Sequence, residues 1–564
     1  MKAQGDAGQV AGMAKELKIS EQIATLLVQR GITTKEEAKK FFRPQLSDLH
    51  DPFLMKGMDK AVERIAKAIG NKENILVYGD YDVDGTTAVA LMYTFLHSFY
   101  ENVSFYIPDR YKEGYGISTT GIDFAEDNDM SLIIALDCGI KAVDKVAYAK
   151  QKGIDFIICD HHLPGDMIPA AVAVLDPKQP GCNYPYKELS GCGLGFKLAQ
   201  AWAMKNSMPF EELEQYLDLV VVSIASDIVP ITNENRVLAF FGLRQINTSP
   251  RQGIKTLLEL NNVKKELSIT DLVFIIGPRI NAAGRIDSGR KSVELLIATN
   301  EEEAKESSIG INQHNLDRRD LDTTITAQAL EMIAGDEAML KRKSTVVFNK
   351  DWHKGVVGIV ASRLTEKYYR PTIVLTQSNG VISGSARSVK DFDVYEAIHA
   401  CADLLEQFGG HKYAAGLSLK PENLEAFTQK FEATVSSTIE EYMLTPEIEI
   451  DEKIELKDIT PGLVNILKQF APFGPGNMAP VFLSEEVYDR GFGRVVGAKH
   501  LKMDLVQTDS PTNFYPAIAF GQAENFELIK NKMPFNACFT IEENEFNGKV
   551  SLQLNVKDMK GIRD

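Results

Sequence analysis

The first twenty residues, Met1 to Ser20, lack the continuous apolar core of a secretory signal. No apolar run along the chain approaches the ~18 residues that a membrane-spanning helix needs. Internal repeats and low-complexity linkers are also missing. Cysteines are few: six, scattered singly, with Cys138 and Cys159 in or beside strand-like runs, where buried reduced thiols are expected. A cytoplasmic protein with no membrane partner is the expectation. Basic residues fall short of acidic ones, and the net charge of -16 argues at face value against a nucleic-acid partner. That average hides residues 341–420, where 12 Lys and Arg stand against 7 Asp and Glu. A locally basic face on an acidic protein is compatible with phosphate binding. The remaining composition, 44% apolar and 25% charged over 564 residues, is that of an ordinary globular chain of three or four domains.

The chain is organised around Val77 to Ala88, VYGDYDVDGTTA. The apolar run Ile75 to Tyr78 reads as a buried strand, and Ala88 to Phe99 as an apolar-periodic helix. Between them lie Asp80, Asp82 and Asp84. In extended chain, side chains two apart share a face, so the three carboxylates are expected to converge beyond the strand end. Carboxylates so placed repel one another unless a hard cation sits between them. An EF-hand loop also opens D-x-D-x-D-G, but it needs a Glu at its twelfth position, and counting from Asp80 that position is Leu91. A metal site at a strand end of an open α/β sheet fits better.

From Ile75 strands and helices alternate: Val103–Ile107, Leu132–Leu136, Phe156–Cys159 and Ala171–Leu175 as strands, Ala142–Gln151 as a helix. This implies a mainly parallel sheet with helices on both faces. Element ends repeat one signal. Leu132–Leu136 runs into Asp137, Phe156–Cys159 into Asp160, His161 and His162, and an apolar helix from Leu217 into Asp227. Singly, each aspartate reads as a cap or turn former. Together they form a constellation rich in carboxylate with one or two imidazoles, suited to Mn²⁺ or Mg²⁺ rather than to a thiolate-type zinc site. Two ions fit if one aspartate bridges them.

GDYDVDG, LDCG, ICDHH and ASDIVP, in this order, resemble the four motifs of the DHH phosphoesterase superfamily. YKEGYGIS (Tyr111–Ser118), GPRINAAGRID (Gly277–Asp287), SGSARS (Ser383–Ser388), FGGHKYAAG (Phe408–Gly416) and APFGPGN (Ala471–Asn477) narrow the resemblance to its RecJ-type, single-strand-specific exonucleases. The resemblance implies two Mn²⁺ or Mg²⁺ ions held by Asp80, Asp82, Asp84, Asp137, His161 and Asp227, with Asp137 as the bridge. His162 would face the scissile phosphate, and Asp160 would orient a histidine or, more simply, cap a turn. It also implies a metal-dependent 5′→3′ exonuclease on single-stranded DNA, releasing 5′-mononucleotides in repair and recombination. Single-strand-binding protein and a helicase are the expected partners of a monomer. The alternatives are a phosphodiesterase on short oligonucleotides or cyclic dinucleotides, and a non-catalytic single-strand-binding scaffold.

The expected order is an N-terminal helical segment (1–70), the catalytic α/β domain (71–230), a helical connector (231–343) that includes a long helix Glu301–Ala334 ended by Gly335, a smaller α/β domain (344–436) and a β barrel (446–564). In the connector Asn281 and Arg285 lie among small residues, either in a helix-connecting loop or where Arg285 holds a substrate phosphate near the metals. In the smaller domain Ser385, Arg387, Gly410 and His411 fit a phosphate cradle. A glycine turn with a surface histidine is the alternative, and in the family this domain faces the metals across a cleft. The last fifth alternates with period two at Glu447–Ile450, Leu501–Leu505 and Val550–Leu554, with Asn547-Gly548 as a hairpin turn. The family implies an oligonucleotide-binding (OB) fold there. Phe492, Phe514, Tyr515 and Phe520 are its stacking candidates, though core positions are the expectation for each.

Overall fold

Three short helices open the chain, α1 (Ala7–Leu17), α2 (Glu21–Val28) and α3 (Lys35–Phe42). Each begins after a side chain, Asp6, Ser20 or Thr34, that accepts from the backbone N–H three residues on. The computed structural model describes residues 1–564 except 287, 379, 509, 531–532, 547 and 563–564. These fall into two units. One comprises Met1–Pro108, Glu113–Gly277 and Ile448–Asp564; the other comprises Asp109–Lys112 and Pro278–Glu447. Among the described residues no helix is long and apolar enough to cross a membrane.

After α4 (Met58–Gly70) the first unit builds a five-stranded, all-parallel sheet. Its elements are β1 (Asn74–Gly79), α5 (Val83–His97), β2 (Val103–Tyr106), α6 (Thr119–Asp127), β3 (Met130–Leu136), α7 (Val143–Gln151), β4 (Asp155–Cys159) and β5 (Ala173–Leu175). The apolar runs are buried on both faces, as parallel strands require. Leu76, Tyr78, Ile133, Ala135, Phe156 and Ile158 pack with α6 and α7 through Ile122, Ala125, Val146 and Ala149. Helices α4, α5 and α8 (Gly191–Lys205) pack against strands β5, β1 and β3. Helix α5 starts at Val83, well before the expected Ala88. Asp82 caps it by accepting from Gly85 N at 3.0 Å. Only glycine fits next, since a Cβ at Gly85 would lie 2.4 Å from the Asp80 carbonyl oxygen. Short α9 (Glu211–Glu214), buried α10 (Leu217–Ser226), α11 (Asn233–Thr248), α12 (Gln252–Leu260) and α13 (Ile269–Asp271) complete this part.

The second unit opens with α14 (Gly277–Ile286), α15 (Gly289–Ile297), α16 (Glu301–Ala334) and α17 (Glu337–Lys341). Asn281 and Arg285 therefore lie on a helix and not in a connecting loop. Gly335 ends α16 at φ -80, so no left-handed cap forms; the chain turns because Asp336 is extended and caps α17. A five-stranded sheet follows in the order β6-β7-β8-β10-β9: β6 (Thr345–Phe348), β7 (Thr372–Ser378), β8 (Val381–Arg387), β9 (Gln407–His411) and β10 (Ala414–Leu419). Helices α18 (Val357–Tyr368), α19 (Val394–His399) and α20 (Leu424–Thr438) accompany it, α20 burying Phe427, Phe431 and Val435.

The C-terminal part closes as a barrel. Strands β12 (Phe482–Asp489), β16 (Phe535–Phe546), β17 (Lys549–Gly561), β15 (Ser510–Ala519) and β14 (His500–Gln507) pair in sequence, and β12 pairs back to β14. Short β11 (Glu452–Lys453) and β13 (Arg494–Val496) extend its edges, and α21 (Pro461–Lys468) and α22 (Phe526–Lys530) pack beside it. Glu447–Ile450, expected as a strand, joins no ladder; it is mostly exposed and straddles the boundary between the two units. Strands β16 and β17 pair antiparallel as far as Phe546 and Lys549, as a hairpin requires; Asn547 of the expected turn lies outside the described residues. The barrel core is shared with the N-terminal helices: Val10, Met13, Ile23 and Leu27 pack with Ile454, Leu456, Phe470 and Phe482. Burying that apolar surface fixes the N-terminal helices to the barrel.

Candidate metal centre

The strand order β2-β1-β3-β4-β5 reverses direction between β1 and β3, and open parallel sheets place ligands beyond the strand carboxyl ends at such a switch point. Asp80 follows β1 and Asp137 follows β3, one on each side of it, while Asp160, His161 and His162 follow β4. Asp227 ends α10 as its C-cap residue. Asp80, Asp84, Asp137, Asp160 and His161 are buried. Period-two alternation is not what gathers the carboxylates. Asp82 is a helix cap and Asp84 lies in the first turn of α5, so the turn of the helix brings Asp84 inward.

His161 is the hub. Its Nε2 lies 3.2 Å from Asp137 Oδ1, 3.6 Å from Asp227 Oδ2 and 3.8 Å from Asp84 Oδ2. Two trios, Asp84–His161–Asp227 and Asp137–His161–His162, each present ligand atoms within 4.8 Å of one another. Asp84 is held by Gly191 N, Cys192 N and Ser223 Oγ, each at 2.7 Å. A carboxylate thus sits on the positive end of α8. Gly191 is required there, because a Cβ would come 2.5 Å from Asp137 Cβ. Asp137 itself has φ +59, a left-handed conformation that aspartate tolerates better than most residues and that gathers at functional sites.

Asp160 serves the second histidine. Its Oδ1 accepts from His162 Nδ1 at 2.7 Å and its Oδ2 from Ile140 N at 2.8 Å. Burial alone would pull His162 down, but the Asp160 hydrogen bond and charge raise it to about 9. His162 is then a cation near neutrality, with both ring nitrogens as donors. Its Nε2 meets the Tyr115 hydroxyl at 3.1 Å. Tyr115 stays protonated, pushed up by burial and by Asp137 and Asp80. Neither Tyr115 nor the Ser190–Cys192 helix start was read from the sequence as part of this site. The signal for the second was present, as serine and two glycines opening an apolar helix.

Burial and mutual repulsion dominate the electrostatics. Burial and Asp84 raise Asp82; burial and the charges of Asp84, Asp82, Asp227 and Asp80 hold Asp137 well above the usual carboxylate range. Burial, then Asp84 and Asp82, push Asp227 up to about 8. Burial keeps His161 below its ordinary value, so its imidazole is neutral and able to ligate. Asp137 Oδ1 is buried and accepts no hydrogen bond among the described residues. Clustered oxygens that repel, one of them without a donor, and a neutral imidazole are the surroundings that hard divalent cations stabilise.

The second unit holds the other residues expected from the sequence to bind substrate. Ser385 and Arg387 lie on β8, and Arg387 Nη1 donates to Ser385 Oγ and to the Ala386 carbonyl at 2.7 Å each. Arg387 and His411 pair with Ala414 from opposite sides, so both side chains share its face of the sheet. Gly410 and His411 belong to edge strand β9 and not to a turn. Gly410 has φ +146, and a Cβ there would come 2.3 Å from the Ala414 carbonyl oxygen. Near the start of α18, a Cβ at Gly358 would lie 3.1 Å from Arg387 Nη2 and 3.2 Å from Ser385 Oγ. A largely buried guanidinium, lowered by burial alone, thus lies beside a helix N-terminus, an arrangement suited to phosphate. Arg285 Nη1 donates to Gly355 O at 3.0 Å, three residues before Gly358. Asn281 Oδ1 has no hydrogen-bond partner among the described residues.

On the barrel, Phe492, Phe514 and Phe520 are exposed, contrary to the expectation of core positions. Arg490 lies 4.0 Å from the Phe514 ring centroid and 5.9 Å from that of Phe492. Tyr515 is partly buried, its hydroxyl donating to the Ile459 carbonyl.

Residues 74–224 match the DHH family N-terminal domain, 341–437 the DHHA1 domain and 450–558 the RecJ OB domain. The single-stranded-DNA-specific exonuclease RecJ of Bacillus subtilis is 36% identical over 557 residues, 98% of this chain and 70% of that protein. The protein of the same name from Escherichia coli is 31% identical over 95% of both chains. The crystal structure of RecJ in complex with Mn²⁺ from Thermus thermophilus superposes with a TM-score of 0.84 at 25% identity. That match covers 99% of this chain and 78% of the other.

Proposed function

The chain belongs to the RecJ family of single-stranded-DNA-specific exonucleases, and on that premise we propose that it is a divalent-metal-dependent exonuclease that degrades single-stranded DNA from the 5′ end. The observation that carries the reading is the His161 hub, one imidazole nitrogen within 4 Å of three carboxylates. Two Mn²⁺ or Mg²⁺ ions would be held by Asp80, Asp82, Asp84, Asp137, His161 and Asp227. When bound, such ions supply an activated water and stabilise the departing oxygen of an in-line displacement.

The chain's own residues do the rest. Asp160 fixes the His162 ring through Nδ1, so Nε2–H is aimed at a phosphoryl oxygen or the leaving group; Tyr115 holds that proton donor while substrate is absent. Arg285, Asn281, Ser385, Arg387, Gly410 and His411 would bind a 5′-terminal phosphate, whose extra charge suits a buried Arg beside a helix start. The exposed Phe492 and Phe514 rings, each with Arg490 within 6 Å, would stack on successive bases while basic groups follow the backbone. Six buried free thiols fit a reducing cytoplasm. A nuclease confined to single strands needs them exposed and delivered, hence the expectation of a helicase and single-strand-binding protein as partners of a monomeric enzyme. The test is a long 5′-labelled single strand incubated with Mn²⁺. Labelled 5′-mononucleotide as the first product supports the reading, and internal fragments, label release only after 3′ shortening, or binding without cleavage would refute it.

A further inference from the structure

The APFGPGN stretch, Ala471–Asn477, takes no part in the site described above, yet it is bound tightly within the same unit. Arg236 of α11 is 5% exposed and carries its charge against carbonyl oxygens. It donates to Phe470 O at 2.8 Å, Ala471 O at 3.0 Å and Gln469 O at 3.2 Å. Asn477 closes the loop from inside, donating to Phe470 O and Pro472 O. So held, the loop presents the Pro475 carbonyl to Ile231 N at 2.7 Å. Gly474 packs so closely that a Cβ would come 2.5 Å from Ile231 Cγ1.

Ile231 is four residues beyond Asp227. Between them Ile228 has φ +59 and an exposed side chain, so the chain leaves α10 by a strained turn that packing on Ile228 does not hold. Beyond it Val229 is buried, Pro230 O accepts from Tyr186 Oη and Asn235 Nδ2, and Ile231 is fixed on the loop. We infer that the barrel loop 471–477 is a positioning element of the metal centre, holding Asp227 in its place through Ile231. This rests on the reading of Asp227 as a metal ligand. Groups that orient a ligand typically alter metal affinity ~10- to 100-fold when changed.

The experiment is Mn²⁺ binding to the full-length apoprotein, followed by calorimetry and by electron paramagnetic resonance, with folding checked by circular dichroism. Gly474→Ala is expected to weaken one class of Mn²⁺ site by about tenfold, and Gly474→Ala with Ile231→Ala to recover most of the loss by making room for the new methyl. Arg236→Lys, which keeps the charge but loses the fork of donors, provides a second variant and is expected to weaken the same class. Asp227→Ala is the reference. If it weakens Mn²⁺ binding and folded Gly474→Ala and Arg236→Lys do not, the positioning role is overturned. If Asp227→Ala itself binds Mn²⁺ normally, the ligand reading falls, and the inference with it.

Discussion

Replacing Asp227 with Asn should make the metal-free protein more stable, although it removes a proposed metal ligand. Burial, Asp84 and Asp82 raise this carboxyl to about 8, whereas an aspartate in an unfolded chain titrates near ~3.9. Between those values the unfolded chain is ionised while the folded one keeps its proton. Stability from this group is therefore lost as pH rises from about 4 and levels off above about 8. At pH 7 roughly three pH units of that window have been crossed, at ~1.4 kcal/mol each, or ~4 kcal/mol before screening. The side chain is 31% exposed, so we discount this by about half, to ~2 kcal/mol. Asn has nearly the same shape and never ionises. In chelator at pH 7 to 8, apo Asp227→Asn is expected to melt a few degrees above apo wild type, with the difference vanishing near pH 4. Added Mn²⁺ should reverse the order, because wild type gains more from the ion. An Asn variant that is destabilised equally at pH 4 and pH 8 would refute the repulsive cluster.

Asp137→Ala is expected to lower hydrolysis at least ~10³-fold while leaving single-strand binding nearly unchanged; retained cleavage in Mn²⁺ would remove Asp137 from the centre. Arg387→Ala should slow cleavage of 5′-phosphorylated strands far more than of 5′-hydroxyl strands, and equal losses on the two substrates would show that it does not read the terminal phosphate. Phe492→Ala and Phe514→Ala should each weaken binding of long strands by ~1–3 kcal/mol, with turnover of very short oligonucleotides preserved. Affinity for long strands should also fall steeply with salt; a flat salt dependence would argue against a phosphate-tracking groove.

Asp80, Asp137, Asp160 and Asp227 were legible in the sequence because each ends a local apolar run, and such a run announces its own terminus. Asp80, Asp137, Asp160 and His161 could be placed at strand ends without knowing which strands are neighbours. The β16–β17 pair and the long α16 were legible for the same reason, since their signals repeat within a few residues. Tertiary structure alone decided that Asp84 turns inward on a helix to meet Gly191 and Cys192 more than a hundred residues away. It alone paired Tyr115 with His162, put Phe492 and Phe514 on the outside, and joined the N-terminal helices to the barrel core. A period-two pattern is the same whichever face of a strand is wet, and a hydrogen bond between distant segments leaves no local spacing to read. Such contacts depend on which surfaces the whole chain can bury together, and that is determined only when all its elements pack at once.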